Sequence, residues 1–175
     1  MGRKQPLIYG TFNLYVNGSA WVMGITEATM PAREAKSETI SGPGILGEID
    51  APVKGQYAAA TLTLNLRAIY DDTLLALPVA GDAQRFDLRP ALETKDIQDF
   101  SAHIAPERWS IVGPVKKIDP GKRGVASAAD ASIEVAAYRI EHYVDGKKVY
   151  ETDYLNAIDT VGDTDYFAAI RAAIS

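Results

Sequence analysis

Ile133-Glu134-Val135-Ala136-Ala137-Tyr138-Arg139-Ile140-Glu141-His142-Tyr143-Val144, then Asp145-Gly146, then Lys147-Lys148-Val149-Tyr150-Glu151-Thr152-Asp153-Tyr154-Leu155-Asn156-Ala157-Ile158-Asp159: two runs rich in Tyr, Val, Ile and Thr flank an Asp-Gly pair. An Asp-Gly pair between such runs predicts a β-hairpin, because a type I′ turn needs φ > 0 at both central residues. Strand alternation places Tyr138, Ile140, His142 and Val144 on one face and Arg139, Glu141, Tyr143 and Asp145 on the other. On the return arm Val149, Glu151, Asp153 and Leu155 share a face, opposite Tyr150, Thr152, Tyr154 and Asn156. Neither face is cleanly apolar. The ribbon therefore reads as part of a sheet with one solvated wall and neighbours beyond its own chain, not as the middle of an ordinary sandwich core.

The rest of the chain repeats this idiom. Leu7–Val16 and Ala20–Ala28 read as a first hairpin about Asn17-Gly18, closed off by Met30-Pro31. Arg33–Ile40 is compatible with helix or exposed strand, and the strand is preferred. Ala58–Ile69 carries the cleanest alternation, with Ala60, Leu62, Leu64 and Leu66 against Thr61, Thr63, Asn65 and Arg67, which predicts a half-buried strand. Asp71-Asp72-Thr73 caps a predicted short helix through Leu74, Leu75 and Leu77 that stops at Pro78 and plugs one end of the core. Gln84–Ala91 and Asp96–Ile104 read as two strands. Glu107–Ile118 reads as another, interrupted at Gly113-Pro114 by a bulge or edge position. Lys122–Asp130 is loop. A helix closes the chain, capped by Asp163 or Thr164, its stripe of Tyr166 or Phe167, Ile170 and Ile174 covering the sheet. The fold class is mainly β, in a single domain over residues 1–175.

Composition narrows the function. With 175 residues and 47% hydrophobic content, the chain buries enough core to fold without a disulfide or metal. It has no cysteine, which removes disulfides, thiolate metal sites and cysteine nucleophiles and fits cytosolic synthesis. The first residues lack the apolar run of a signal peptide, and no stretch is long and apolar enough to span a membrane. A net charge of −5 argues against tight nucleic-acid binding. The basic pairs Lys116-Lys117 and Lys122-Arg123 read as a solvated turn about Asp119-Pro120-Gly121.

Motifs of chemistry do not assemble. Gly42, Gly44 and Gly47 formally satisfy a dinucleotide fingerprint, but a polar run precedes them and Pro52 follows, where a strand and a helix are required. Ser41–Gly55 instead reads as a long loop or hairpin tip, a type usually functional or ordered by a partner. The two histidines, His103 and His142, fall in different predicted strands without further ligands, as a strand-surface residue and a residue packed among tyrosines. Glu151 and Asp153 share a strand face that solvation explains, and Asp159, Asp163 and Asp165 lack calcium-loop spacing. No serine sits in a nucleophile elbow. The expectation is a non-enzyme without cofactor or metal.

Five stretches in order carry a resemblance. These are Asn13-Leu14-Tyr15-Val16-Asn17-Gly18 with Pro31; Gly42-Pro43-Gly44-Ile45-Leu46-Gly47-Glu48-Ile49-Asp50-Ala51-Pro52; Lys117-Ile118-Asp119-Pro120-Gly121; Val144-Asp145-Gly146-Lys147-Lys148-Val149 through Asp153 and Asn156; and Gly162-Asp163-Thr164-Asp165 through Arg171 and its alanines. Over nearly its whole length the chain resembles the major tail tube protein of contractile-tailed bacteriophages and of phage-tail-like bacteriocins (tailocins). Gln84–Ala105 and Trp109–Pro114 depart from the family pattern.

The resemblance implies an antiparallel β-sandwich or barrel-like tail tube fold with a short mid-chain helix and a C-terminal helix. It implies six-fold rings stacked into a hollow tube within a sheath, inside a virion tail or tailocin particle made in the bacterial cytoplasm. The implied partners are further copies of the chain, the tail sheath, baseplate and terminator proteins, and a tape measure protein or DNA in the lumen, held without sequence-specific contacts. On that basis Ser41–Gly55, with Gly42, Gly44, Gly47, Asp50 and Pro52, reaches the next ring; Asp145 and Gly146 form the hairpin turn; and Glu141, Glu151 and Asp153 are candidates for a negative lumen wall. Two other readings stand beside this one. One is the tube of another contractile injection system, type VI-like, to be told apart by its gene neighbourhood. The other is a monomeric carbohydrate-binding β-sandwich with Tyr138, Tyr143, Tyr150 and Tyr154 as a stacking platform.

Overall fold

Strands dominate because Thr, Val, Ile and Tyr recur at period two between Gly- and Asp-bearing turns. The structure, a computed structural model, describes residues 4–21, 24–69, 75–78, 81–98 and 100–174. In chain order the strands are β1 (Lys4–Val16), β2 (Ser19–Trp21), β3 (Ile25–Thr29), β4 (Ala35–Ile40), β5 (Ile49–Tyr57), β6 (Ala60–Leu66), β7 (Gln84–Asp96), β8 (Ala102–Gly113), β9 (Val115–Asp119), β10 (Ala131–Ala137), β11 (Arg139–Val144), β12 (Lys147–Asp153), β13 (Ile158–Val161) and β14 (Thr164–Asp165). A helical turn, α1, spans 75–78, and α2 spans Ala168–Ile174. The predicted cap at Asp71–Thr73 lies outside the described residues.

All pairing is antiparallel. An eight-stranded sheet runs β14-β13-β12-β11-β8-β7-β1-β2, a four-stranded sheet runs β3-β6-β10-β9, and β4 and β5 pair only with each other. The large sheet does not close into a barrel. The core lies between the first two sheets. From the small sheet, Leu62, Leu64, Leu66, Ile133 and Val135 point inward; from the large one, Leu14, Phe86, Leu88, Ile111 and Ile140 meet them. Each such side chain contributes about 1.5–3 kcal/mol by leaving water. The strict alternation of Ala60–Leu66 is therefore a core strand, as its sequence predicts.

The structure corrects several sequence boundaries. The ribbon is not one run from Ile133 to Val144: β10 belongs to the small sheet and β11 to the large one, so its first half is core. Likewise the predicted partner of β1 splits, β2 completing the hairpin at Asn17-Gly18 and β3 joining the small sheet. Gly113-Pro114 is no bulge or edge. There the chain passes from β8, a central strand, to β9 in the other sheet, beside the matching crossover of β10 into β11. The two crossovers touch: Ala136 N donates to Pro114 O (3.0 Å) and Tyr138 N to Val112 O (2.8 Å). A Cβ on Gly113 would fall 1.7 Å from the Ala136 carbonyl oxygen, so only glycine allows this approach.

Three further boundaries move. Gln84–Asp96 is a single strand that pairs with β8 as a hairpin, Lys95 opposite Ala102. The return arm of the ribbon ends at Asp153 and folds back as β13. Ile49–Gly55 is strand, which confines the Gly-rich loop to 41–48. Lys116 and Lys117 stand on β9, paired with Glu134, not in a turn. The α2 cap is Asp165, whose Oδ1 accepts from Phe167 N at 2.9 Å. Asp163 and Thr164 do not fill that role because they stand earlier, in the β13–β14 turn and in β14.

Candidate assembly surface

The hairpin of β4 and β5 projects as an arm. Its register pairs Ile40 with Ile49, Thr39 with Asp50 and Ser37 with Pro52. Pro52 lacks an N–H, which a strand tolerates where no third strand needs it. The tip turns through Gly44 and Gly47, both at positive φ (90° and 101°). Asp50 accepts a hydrogen bond from Thr39 Oγ1 at 2.9 Å. Ile40, Ile45, Leu46, Ile49 and Val53 are all exposed, Leu46 completely. An isolated two-stranded hairpin is marginal in water, and clustered exposed apolar residues mark contact surfaces.

The arm is rigidly rooted. Arg33, just before β4, forms an ion pair with the buried carboxylate of Asp159 on β13. Tyr57 at the end of β5 donates to Asp159 Oδ2 (2.7 Å), and Thr152 Oγ1 donates to Oδ1 (3.3 Å). Burial, then the Asp159 carboxylate, pushes the Tyr57 phenol above its ordinary value. Gly55 lies under α2, where a Cβ would stand 2.4 Å from Phe167 Cε2. No sequence motif announces this clamp, since its members are spread from residue 33 to 159. Asp159 thus serves an arginine, and Asp165 pairs with Arg171. Among the described residues no acidic or histidine cluster suits a metal.

The ribbon turn forms as its sequence predicts, with Asp145 and Gly146 at φ 50° and 75°. The register brings Glu141 directly opposite Glu151, with Arg139 opposite Asp153, all on the sheet face away from the core. The expected solvated carboxylate wall is not what stands there. Glu151 is only 5% exposed, and Asp153 is similarly covered. Like charges directly opposite repel, and Arg139 removes the conflict by donating to both, 2.9 Å to Glu141 and 2.7 Å to Glu151. Lys148 takes the second Glu151 oxygen. Asp153 is spent on its own turn, accepting from Leu155 N, Asn156 N and Asn156 Nδ2. The same outward row continues through Ser110 and Asp87, the latter paired with Arg85. Long basic stems lie over the carboxylates and keep their charges at the surface.

On the core side, His142 stacks on Trp109 (4.0 Å between centroids) and bonds Glu107 Oε1, to which Trp109 Nε1 also donates at 2.7 Å. One tyrosine, Tyr150, joins edge-on, its phenol pushed up to about 12 by burial. His103 is exposed and bonds Ser101. The four tyrosines form no platform: Tyr143 carries Arg108, while Tyr150 and Tyr154 pack on the core.

Finally, the large sheet ends in two short strands. β2 covers only Leu14–Val16 of β1, and β14 pairs only with Thr160 and Val161. Beyond Leu14, the outer edge of β1 meets no strand among the described residues. The model of the phage tail tube protein FII family matches residues 8–174, almost the full chain. The chain belongs to this family. No curated protein matches it. As a tail tube family member it is a structural, β-rich subunit of a phage tail tube. The arm and the open edges are among the described parts of this tube subunit that its own chain leaves uncovered.

Proposed function

We propose that residues 1–175 form one tube domain that assembles as hexameric rings stacked head to tail, making the inner tube of a contractile phage tail or tailocin. The observation that carries this reading is the arm: two strands that pair only with each other, bearing five exposed large apolar residues on a root tied to the buried carboxylate of Asp159. Rigid roots with apolar tips suit a contact that repeats from ring to ring, and a head-to-tail interface propagates where a two-fold one closes. Gly42, Gly44, Gly47, Asp50 and Pro52 shape the arm and its tip. The sheath, baseplate, terminator and tape measure proteins are the partners of such a tube. It conducts DNA in a phage and pierces a membrane in a tailocin.

Negative-stain microscopy of the purified protein tests the reading, with hollow tubes of constant width as the expected result. A sedimentation profile that stays monomeric at high concentration, with no tube in any condition, overturns it. Within that experiment, replacing Gly42 and Gly44 with valine strains the tip but leaves the core untouched. The monomer's circular dichroism is expected to be unchanged and stacking to be lost. Normal tubes from that variant refute the role of the loop.

A further inference from the structure

We propose that the open groove between β7 and β8, beside the β11–β12 turn, is the socket for the arm tip Ile45-Leu46-Gly47-Glu48 of a second copy, an assignment that rests on the tube reading above. The groove has a volume of about 650 Å³, and its walls include Pro90, Ala91 and Ile104 with Arg89, Arg108 and Tyr143. Ile104 is 75% exposed although it stands within β8, paired with Glu93 of β7.

The two arginines are pre-set for an anionic partner. Arg89 lies over the Tyr15 ring (4.2 Å) and Arg108 over the Tyr143 ring (4.1 Å). Stacking fixes both guanidinium planes, yet among the described residues neither has a carboxylate within ion-pair distance. Arg108 Nε is buried without any hydrogen-bond partner. Such a donor costs stability until an acceptor arrives. The adjacent Glu107 does not fill the gap: it turns to the core side, where Oε1 is engaged by Trp109 and His142, and its Oε2 has no hydrogen-bond partner either.

The arm tip has the complementary features. Ile45 and Leu46 are apolar and exposed, and Glu48 two residues on is exposed with no basic partner among the described residues. Docked in the groove, Leu46 meets Pro90, Ala91 and Ile104 while Glu48 meets the guanidinium groups. Arginine–carboxylate hydrogen bonds are among the strongest available, and the apolar wall excludes the water that competes for them. The arm is rooted at β13 and the socket lies at β7–β8, so each copy offers one of each and the contact is heterologous.

The chain has no cysteine, so engineered thiols report without background. Leu46→Cys and Ile104→Cys are both exposed substitutions. Assembled Leu46→Cys/Ile104→Cys particles, treated with a short bifunctional thiol cross-linker, are expected to give a ladder beyond dimer on a denaturing gel. Each single variant is expected to stop at dimer. In parallel, Arg89→Glu/Arg108→Glu is expected to raise the concentration needed for tubes at least tenfold, and Glu48→Arg in that background to recover part of it. Tubes of the double-cysteine protein that yield no ladder overturn the socket while leaving the tube reading intact. Failure of the unsubstituted chain to form tubes overturns the tube reading itself.

Discussion

At the scale of single residues, the fold tolerates charge inside only where donors converge on it. Glu107 is the clearest case. Burial pushes its carboxyl up, but hydrogen bonds from His142 and Trp109 outweigh that and hold it below the usual carboxylate range. Burial, then the negative charge of Glu107, pushes the Tyr9 phenol up. A carboxyl depressed in the folded state stabilises fully above its unfolded value of about 4.3 and loses that contribution as pH falls through the folded value. Glu107→Gln is therefore expected to cost about 1–3 kcal/mol near neutral pH, where the donors lose a charged acceptor. It is also expected to flatten the acid limb, since one depressed carboxyl is gone. Urea unfolding at steps between pH 7 and pH 3 measures both effects. Parallel stability curves for the two proteins below about pH 4.3 would show that the network does not hold the carboxylate as described. The Glu141–Arg139–Glu151 triad follows the same rule on the outer face, where one guanidinium reconciles two opposed carboxylates.

At the scale of elements, the arm behaves as a lever whose stiffness comes from its root. Asp159 accepts from Arg33, Tyr57 and Thr152, so it ties the segment before β4 and the end of β5 to β13. Breaking a buried pair from one side costs about 3–5 kcal/mol, and the partial exposure of Arg33 reduces that here. Asp159→Asn is expected to lower stability by about 1–3 kcal/mol and to leave the strands of the large sheet in place. Proteolysis is expected to cut that variant first within 35–57, at a rate well above the parent. Equal cleavage rates would mean the arm is held by something other than this clamp. Legibility in the sequence divides along the same line. Turns and alternation are local, so Asn17-Gly18, Asp145-Gly146 and Ala60–Leu66 were readable, and the exposed strand at Arg33–Ile40 with them. Sheet membership is not local. A strand that changes sheet, as at Gly113-Pro114 and at Tyr138, looks continuous or merely interrupted in sequence. The Arg33–Asp159 clamp joins residues too far apart for any spacing rule. Leu46 carries a signal that the glycines around it mask: two large apolar residues, Ile45 and Leu46, stand inside a loop otherwise built of Gly, Pro, Ser and Glu.

At the scale of the whole molecule, the large sheet is open at both ends, and an open edge is a hazard unless a partner covers it. The β1 edge is long, and Pro6 and two register irregularities interrupt it without covering it. Ile8 and Tyr9 are exposed along it, and β2 shields only its last three residues. The far edge is similarly short of cover, since β14 is two residues long. If neighbouring copies in a ring join these edges, one sheet runs continuously around the tube. Hydrogen exchange reads the closure directly. Amides of Ile8–Phe12 that face away from β7 are expected to exchange freely in the monomer and at least tenfold more slowly in tubes. Core amides of β6 and β10 are expected to be protected in both. Tubes in which Ile8–Phe12 still exchange at the monomer rate would place the ring contact elsewhere, on side chains alone, because no ladder of backbone hydrogen bonds forms without closing those N–H groups to water.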